Sequence, residues 1–170
     1  MRTIDSLGDI DGERVLVRVD FNVPIVDGKV GDDIRMRRAI PTLESLRDKG
    51  AKLILVSHLG RPKDREPEFS LAPVAEHAGK LLHTEVALAE DLDSVPDADV
   101  VMLENIRYEP GETKNDPEFA ERLASLADYY VNDAFGTSHR EHASTAGIVP
   151  LVKHSAAGLL FQSEVDTIRL

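Results

Sequence analysis

Arg35, Arg61, Arg107 and Arg140 each stand shortly after a short apolar run that stops abruptly in Asp, Asn or His. The run Val15-Leu16-Val17-Arg18-Val19 gives way to Asp20-Phe21-Asn22-Val23-Pro24, with Arg35 a short loop later. Leu53-Ile54-Leu55-Val56 runs into Ser57-His58-Leu59-Gly60-Arg61-Pro62. Val100-Val101-Met102-Leu103 runs into Glu104-Asn105-Ile106-Arg107-Tyr108, and Tyr129-Tyr130-Val131 runs into Asn132-Asp133 and on to His139-Arg140. Several guanidinium groups facing one another repel unless an anion sits among them, and Arg forks match phosphate and carboxylate oxygens in pairs. The set therefore points to a pocket for a small, highly anionic ligand. A single Arg would more simply pair with one of the 31 carboxylates; four at equivalent positions favour a site. Arg37 and Arg38 point elsewhere by helical geometry, and are expected to be solvated or bridged to nearby acids.

Other polar groups gather at the same exits. Asp20 and Asn22 flank Phe21, and in an extended segment they share a face while Phe21 turns to the core. A carboxylate and an amide suit the hydroxyls of a sugar-like ligand. The competing reading is an Asx-turn before Pro24, a stronger rival for Asn22 than for Asp20. His58 and His139 lie beside two of the Arg and are candidate donors to a phosphate or carboxylate. His139 and His142 are spaced to share a metal, but no third ligand is evident nearby, so no metal is expected. His77, His83 and His154 read as structural or exposed.

These groups share a site only if the apolar runs are parallel strands, because open α/β sheets bind ligands outside the carboxyl ends of their strands. The alternation of short apolar runs with longer amphipathic stretches reads as repeated βα units. Strands are expected at 14–19, 52–56, 85–88, 99–103 and 128–131. A turn is expected at Asp27-Gly28. A helix over 34–49 is capped by Asp32 or Asp33, closed by Gly50 and kinked at Pro41. Ser70 caps a helix to Leu82, and Asp116-Pro117 opens one over 118–127. Helices are also expected over 141–148 and 161–170. The last has no terminator, which suggests that the natural chain continues. The expectation is one α/β domain over 1–170, three-layered and Rossmann-like, with a mainly parallel sheet flanked by helices.

Bulk properties narrow the function. The 170 residues suffice for one domain with a sizeable core. No apolar run approaches the length of a membrane span, and Met1-Arg2-Thr3-Ile4-Asp5 lacks a signal-peptide core. There is no Cys, which excludes disulfides and thiolate chemistry. A net charge of −11 argues against nucleic acid as a partner and makes a local gathering of Arg more telling. Cytoplasmic residence is the default. No Gly-x-x-x-x-Gly-Lys-Ser/Thr loop, no Gly-x-Gly-x-x-Gly after the first strand and no Gly-x-Ser-x-Gly elbow is present.

The blocks 18–24, 57–62, 103–108 and 131–144 together resemble phosphoglycerate kinase closely. Four ordered blocks are a specific match, and they cover essentially the whole chain but only the N-terminal domain of that family. The resemblance implies that this domain binds 3-phosphoglycerate or 1,3-bisphosphoglycerate. Asp20 and Asn22 match positions that contact the glycerate, next to Phe21. Arg61, Arg107 and Arg140, with His58, match the basic patch that grips the non-transferred phosphate and the carboxylate. Leu59, Gly60 and His139 belong to the same substrate-binding segments. Arg35 matches the residue credited with steadying the transferring phosphoryl group, and is the catalytic candidate. Mg-ATP or Mg-ADP would be bound by a C-terminal domain absent from this chain, and hinge closure would join the halves. No cofactor and no metal are expected here, the protein is expected to be a monomer, and the isolated chain should be inactive or nearly so. Departures from the family pattern are small: Ser138, Glu141 and a short charged loop at 63–68. The alternative reading is a non-catalytic anion-binding module on the same fold.

Overall fold

Strand β1 (Arg14–Arg18) is the middle of the protein. Val15, Leu16 and Val17 have no exposed surface, so both faces of the strand are covered. That accounts for a continuously apolar run rather than an alternating one. The computed structural model describes residues 2–134 and 140–169. In it β1 lies between β4 (Lys52–Val56) and β7 (Tyr129–Asn132). β6 (Val100–Leu103) and then β5 (Ala87–Ala89) extend the β4 side, and β8 (His154–Ala157) closes the other edge. Every pairing in this six-stranded sheet is parallel.

Alternate residues divide the core into two layers. Val15, Val17, Leu53, Leu55 and Met102 pack under α1 (Ile34–Asp48) and α2 (Ala72–Leu82), against Met36, Leu43 and Val74. Leu16, Ile54, Val101 and Tyr130 face the opposite layer, where α4 (Pro117–Ala124) contributes Phe119 and Leu123. The order helix, sheet, helix is the expected three-layer α/β architecture.

Register brings the strand exits level. Arg18 lies opposite Val56 on one side and Asn132 on the other, and Leu55 lies opposite Met102. The ladder continues one step further, through Val19 N–H to Val56 O at 2.9 Å and Asp133 N–H to Arg18 O at 2.8 Å. Asp20, Ser57, Glu104 and Asp133 therefore emerge along one edge.

The expected turn at Asp27-Gly28 forms, whereas the capping of α1 and the segments after Arg140 depart from expectation. Asp27 and Gly28, with φ of 52° and 76°, form the tight turn of a small hairpin between β2 (Ile25–Val26) and β3 (Lys29–Val30). Asp33 holds the N-cap position of α1 without making a cap bond. Its carboxylate goes to Arg37 Nε (2.9 Å) and His77 Nε2 (2.8 Å), while Asp32 accepts from the Ile34 amide at 3.1 Å. α1 continues past Pro41 to Asp48. Asp116 caps α4 as expected, accepting from Phe119 N–H at 3.2 Å.

The stretch expected as a helix over 141–148 is a π-type turn, Ala143–Gly147, followed by a 3-10 turn, Val149–Leu151. Ser144 and Thr145 bond elsewhere, which competes with regular helix. No strand is expected at β8, because His-Ser-Ala-Ala has no β-branched residue and no Phe, Tyr or Trp. The final helix, α5 (Leu159–Arg169), starts two residues earlier than expected.

Candidate functional site

The exit of β1 is fixed from both sides. Phe21 is fully buried, and its amide donates to Ser57 Oγ at 2.9 Å. Asp20 Oδ1 accepts from the Asn22 amide at 3.2 Å, the Asx arrangement, while Asn22 Oδ1 accepts from the Gly60 amide at 2.9 Å. The turn-forming and bridging roles are thus the reverse of their sequence weighting. Arg35, half-exposed at the start of α1, donates to Asn22 O at 3.0 Å and lies 3.6 Å from Asp20 Oδ1. It borders a cleft of ≈ 210 Å³ with Asp20, Arg38, Asp133, Ala134, Leu160 and Glu164.

The exits of β4 and β6 are braced by Asn105, which is 1 % exposed. Its side chain accepts from Leu59 N–H (3.2 Å) and Arg107 N–H (3.1 Å), and donates to Leu59 O (2.7 Å) and Phe69 O (2.9 Å). Gly60 has φ of 60°, and a Cβ there would meet the Phe69 ring at 2.5 Å, so glycine is required. Arg107 donates to Gly60 O at 3.1 Å. Its Nε is buried with no hydrogen-bond partner among the described residues.

Beneath these exits lies Arg18, with no exposed surface. It donates to Val19 O (2.5 Å) and Ser144 Oγ (2.9 Å), and its NH2 lies 2.9 Å from His58 Nδ1. Burial lowers its pKa, and the negative charges of Glu112 and Asp20 pull the other way. His58 is pushed down to about 2, chiefly by burial and then by Arg18, Arg107 and Arg140. A neutral His58 accepts from Arg18 through Nδ1 and so carries its proton on Nε2. The Arg107 pKa is lowered by burial and by repulsion from Arg140, Arg18 and Arg61, against which Glu112 acts.

Arg107 therefore lies within the field of Arg18, Arg61 and Arg140, while Arg35 is tied to Asp20 and Asn22. Among the described residues no carboxylate stands within 4 Å of Arg61, Arg107 or Arg140. Arg37 bridges to Asp33 as expected of it. His139 lies outside the described residues.

A family model for phosphoglycerate kinase matches residues 4–169. The chain belongs to the phosphoglycerate kinase family. It is 50 % identical over 177 residues to the cytosolic phosphoglycerate kinase of Triticum aestivum, covering 97 % of this chain and 44 % of that protein. It is 52 % identical over 167 residues to the phosphoglycerate kinase of Dictyoglomus turgidum, covering 93 % of this chain and 42 % of that protein. Its fold matches the structure of phosphoglycerate kinase from Coxiella burnetii with a TM-score of 0.90 at 41 % identity, over 96 % of this chain and 43 % of that one. The chain thus spans less than half the length of these phosphoglycerate kinases.

Five residues that shape this candidate site were not singled out from sequence: Arg18, Ser57, Asn105, Glu112 and Ser144. Only Arg18 carried a signal. A charge within an apolar central strand has no water to face and must find partners inside.

Proposed function

We propose that this chain is the phosphoglycerate-binding half of a phosphoglycerate kinase. The observation that carries the reading is the arginine cluster. Arg107 is repelled by Arg61, Arg140 and buried Arg18, with no carboxylate in ion-pair reach of Arg61, Arg107 or Arg140 among the described residues, in a chain of net charge −11. An anion with two charged ends, a phosphate and a carboxylate, would relieve that repulsion.

On this reading Arg61, Arg107 and Arg140, with His58 and His139, hold the non-transferred phosphate and the carboxyl end of 3-phosphoglycerate or 1,3-bisphosphoglycerate. Asp20 and Asn22, with Phe21 packed behind them, orient the glycerate. The Leu59-Gly60 backbone forms the wall between them. Arg35 steadies the phosphoryl group that moves from the acyl phosphate to ADP, giving 3-phosphoglycerate and ATP. Phosphoryl transfer depends on positioning and charge stabilisation, which Arg residues supply.

Magnesium nucleotide is assigned to a second domain. The chain has no phosphate-binding glycine loop of the Gly-x-x-x-x-Gly-Lys-Ser/Thr type, and no three His, Asp or Glu side chains converge to hold a cation among the described residues. That domain and phosphoglycerate are the proposed partners. No helix among the described residues is long and apolar enough to cross a membrane. A monomeric, cytoplasmic enzyme of glycolysis completes the proposal.

The test is a titration of the 170-residue chain with 3-phosphoglycerate at low and high salt, paired with a coupled kinase assay. Saturable binding that weakens with salt, with negligible turnover, is expected. Absence of such binding contradicts the site. Robust turnover by these residues alone contradicts the division of labour.

A further inference from the structure

Behind the arginines lies a carboxylate with no role in the reading above. Glu112 belongs to α3 (Pro110–Thr113) and has no exposed surface. Its oxygens accept from the Ser144 amide at 2.8 Å and the Ser144 hydroxyl at 2.5 Å. The same hydroxyl accepts from Arg18 Nε at 2.9 Å, and Arg18 reaches on to His58. Tyr130 donates to Ser144 O at 2.6 Å, so the relay is held from the sheet as well. On its other side Glu112 lies 3.9 Å from His142 Nδ1, a buried nitrogen with no hydrogen-bond partner among the described residues.

A fully buried carboxylate is costly unless its charge is answered. Glu112 answers the cluster without touching a guanidinium. It acts on Arg18 through one hydroxyl, and its field favours the charged forms of Arg18, Arg107 and His142. It cannot readily swing away. A Cβ on the neighbouring Gly111 would come within 2.6 Å of Phe119 Cβ, so α3 lies tight on α4.

We propose that Glu112 is the resident counter-charge of the arginine cluster, a positioning residue that keeps Arg18, Arg107 and His58 assembled in the empty site and limits how tightly an anion is held. The inference rests on the anion-site reading of the cluster. With Glu112 in place, part of the repulsion is already relieved before a ligand arrives. Without it, the empty site loses more than the occupied one. A bound anion should then stabilise the fold more, because whatever binds only the folded chain raises its stability in proportion to its affinity.

The experiment compares melting temperatures of the unaltered chain, Glu112→Gln and Ser144→Ala. Each is measured in chloride, in inorganic phosphate and in 3-phosphoglycerate at matched ionic strength. Glu112→Gln keeps an acceptor for the Ser144 amide and removes the charge. It is expected to melt lower in chloride, to gain more from either anion than the unaltered chain, and to bind 3-phosphoglycerate with a several-fold lower Kd. Ser144→Ala cuts the relay but keeps the charge, so it is expected to melt lower and yet gain no more than the unaltered chain. An equal or smaller gain in Glu112→Gln overturns the inference and leaves Glu112 a packing residue. If Glu112→Gln does not fold in chloride, folding in phosphate is expected, and failure in both overturns the inference. No gain in the unaltered chain from either anion overturns the anion-site reading and this inference with it.

Discussion

Arg18, the last residue of β1, and His58, two residues past the end of β4, meet with 2.9 Å between a guanidinium nitrogen and Nδ1, both out of water. The contact fixes the imidazole as an acceptor on one side. It leaves the Nε2 proton available at the arginine cluster. The pair also makes His58 a term in folding stability. Its pKa falls from the ordinary 6.5 to about 2 in the folded chain. Between those values the unfolded chain binds a proton that the folded chain refuses. The stability contributed by neutral His58 is fully present above pH 6.5 and is lost as pH falls below it. The expected slope is at most about 1.4 kcal/mol per pH unit between pH 6 and 4. Urea unfolding across that range should show His58→Gln flatter than the unaltered chain by close to one proton. Parallel curves would contradict the assignment.

Asp133, at the exit of β7, works in the opposite sense. Burial pushes its carboxyl up to about 6, even though its Oδ1 accepts from the Phe161 amide at 3.1 Å. The folded chain therefore holds a proton that the unfolded chain releases between the ordinary 3.8 and about 6. Its contribution improves as pH falls through that window. Asp133→Asn keeps the acceptor that caps α5 and buries no charge. We expect it to stabilise the chain at pH 7 by about 1–3 kcal/mol and to lose the gain on acidification. Destabilisation at pH 7 would show that the ionised carboxylate is itself required.

The arginines are expected to separate by the kinetic constant they affect. Arg107→Ala removes a charge-assisted contact at the centre of the cluster, which corresponds to about 1.5–3 kcal/mol and so to a tenfold or greater loss in 3-phosphoglycerate affinity. Arg107→Lys should not restore it, because an ammonium cannot bond Gly60 O and a ligand oxyanion with the same fork geometry. Arg35→Ala, in a protein that also carries the nucleotide-binding domain, should chiefly lower kcat while leaving KM for 3-phosphoglycerate near its original value. A large rise in KM with kcat intact would move Arg35 into the binding set.

The frame of the protein was legible because its central strands are buried on both faces. β1, β4, β6 and β7 read as unbroken apolar runs, and their polar stops mark the sheet edge where the arginines gather. β8 was illegible for the converse reason: an edge strand of one His and three small residues has no alternating apolar pattern. The arginines at the exits could be found by position alone. Their supports could not. Arg18 and Ser144 are 126 residues apart in sequence, and Glu112 is 32 from Ser144, so no local spacing announces the contact. Asp20 and Asn22 show a subtler limit. Both were readable as site residues, but which one shapes the turn and which one bridges to Gly60 depends on where the second exit lies.

We propose the cluster of Arg61, Arg107 and Arg140 as the phosphoglycerate site. It is tested most directly by following the backbone amide resonances of the chain while 3-phosphoglycerate is added. The predicted result is a saturable set of shifts confined to the strand exits, strongest at Asn22, Gly60, Arg107 and Arg140 and diminished at high salt. Gly12 and Gly50, at the opposite edge of the sheet, should not move. Shifts that centre on that opposite edge, or none at millimolar ligand, would contradict it.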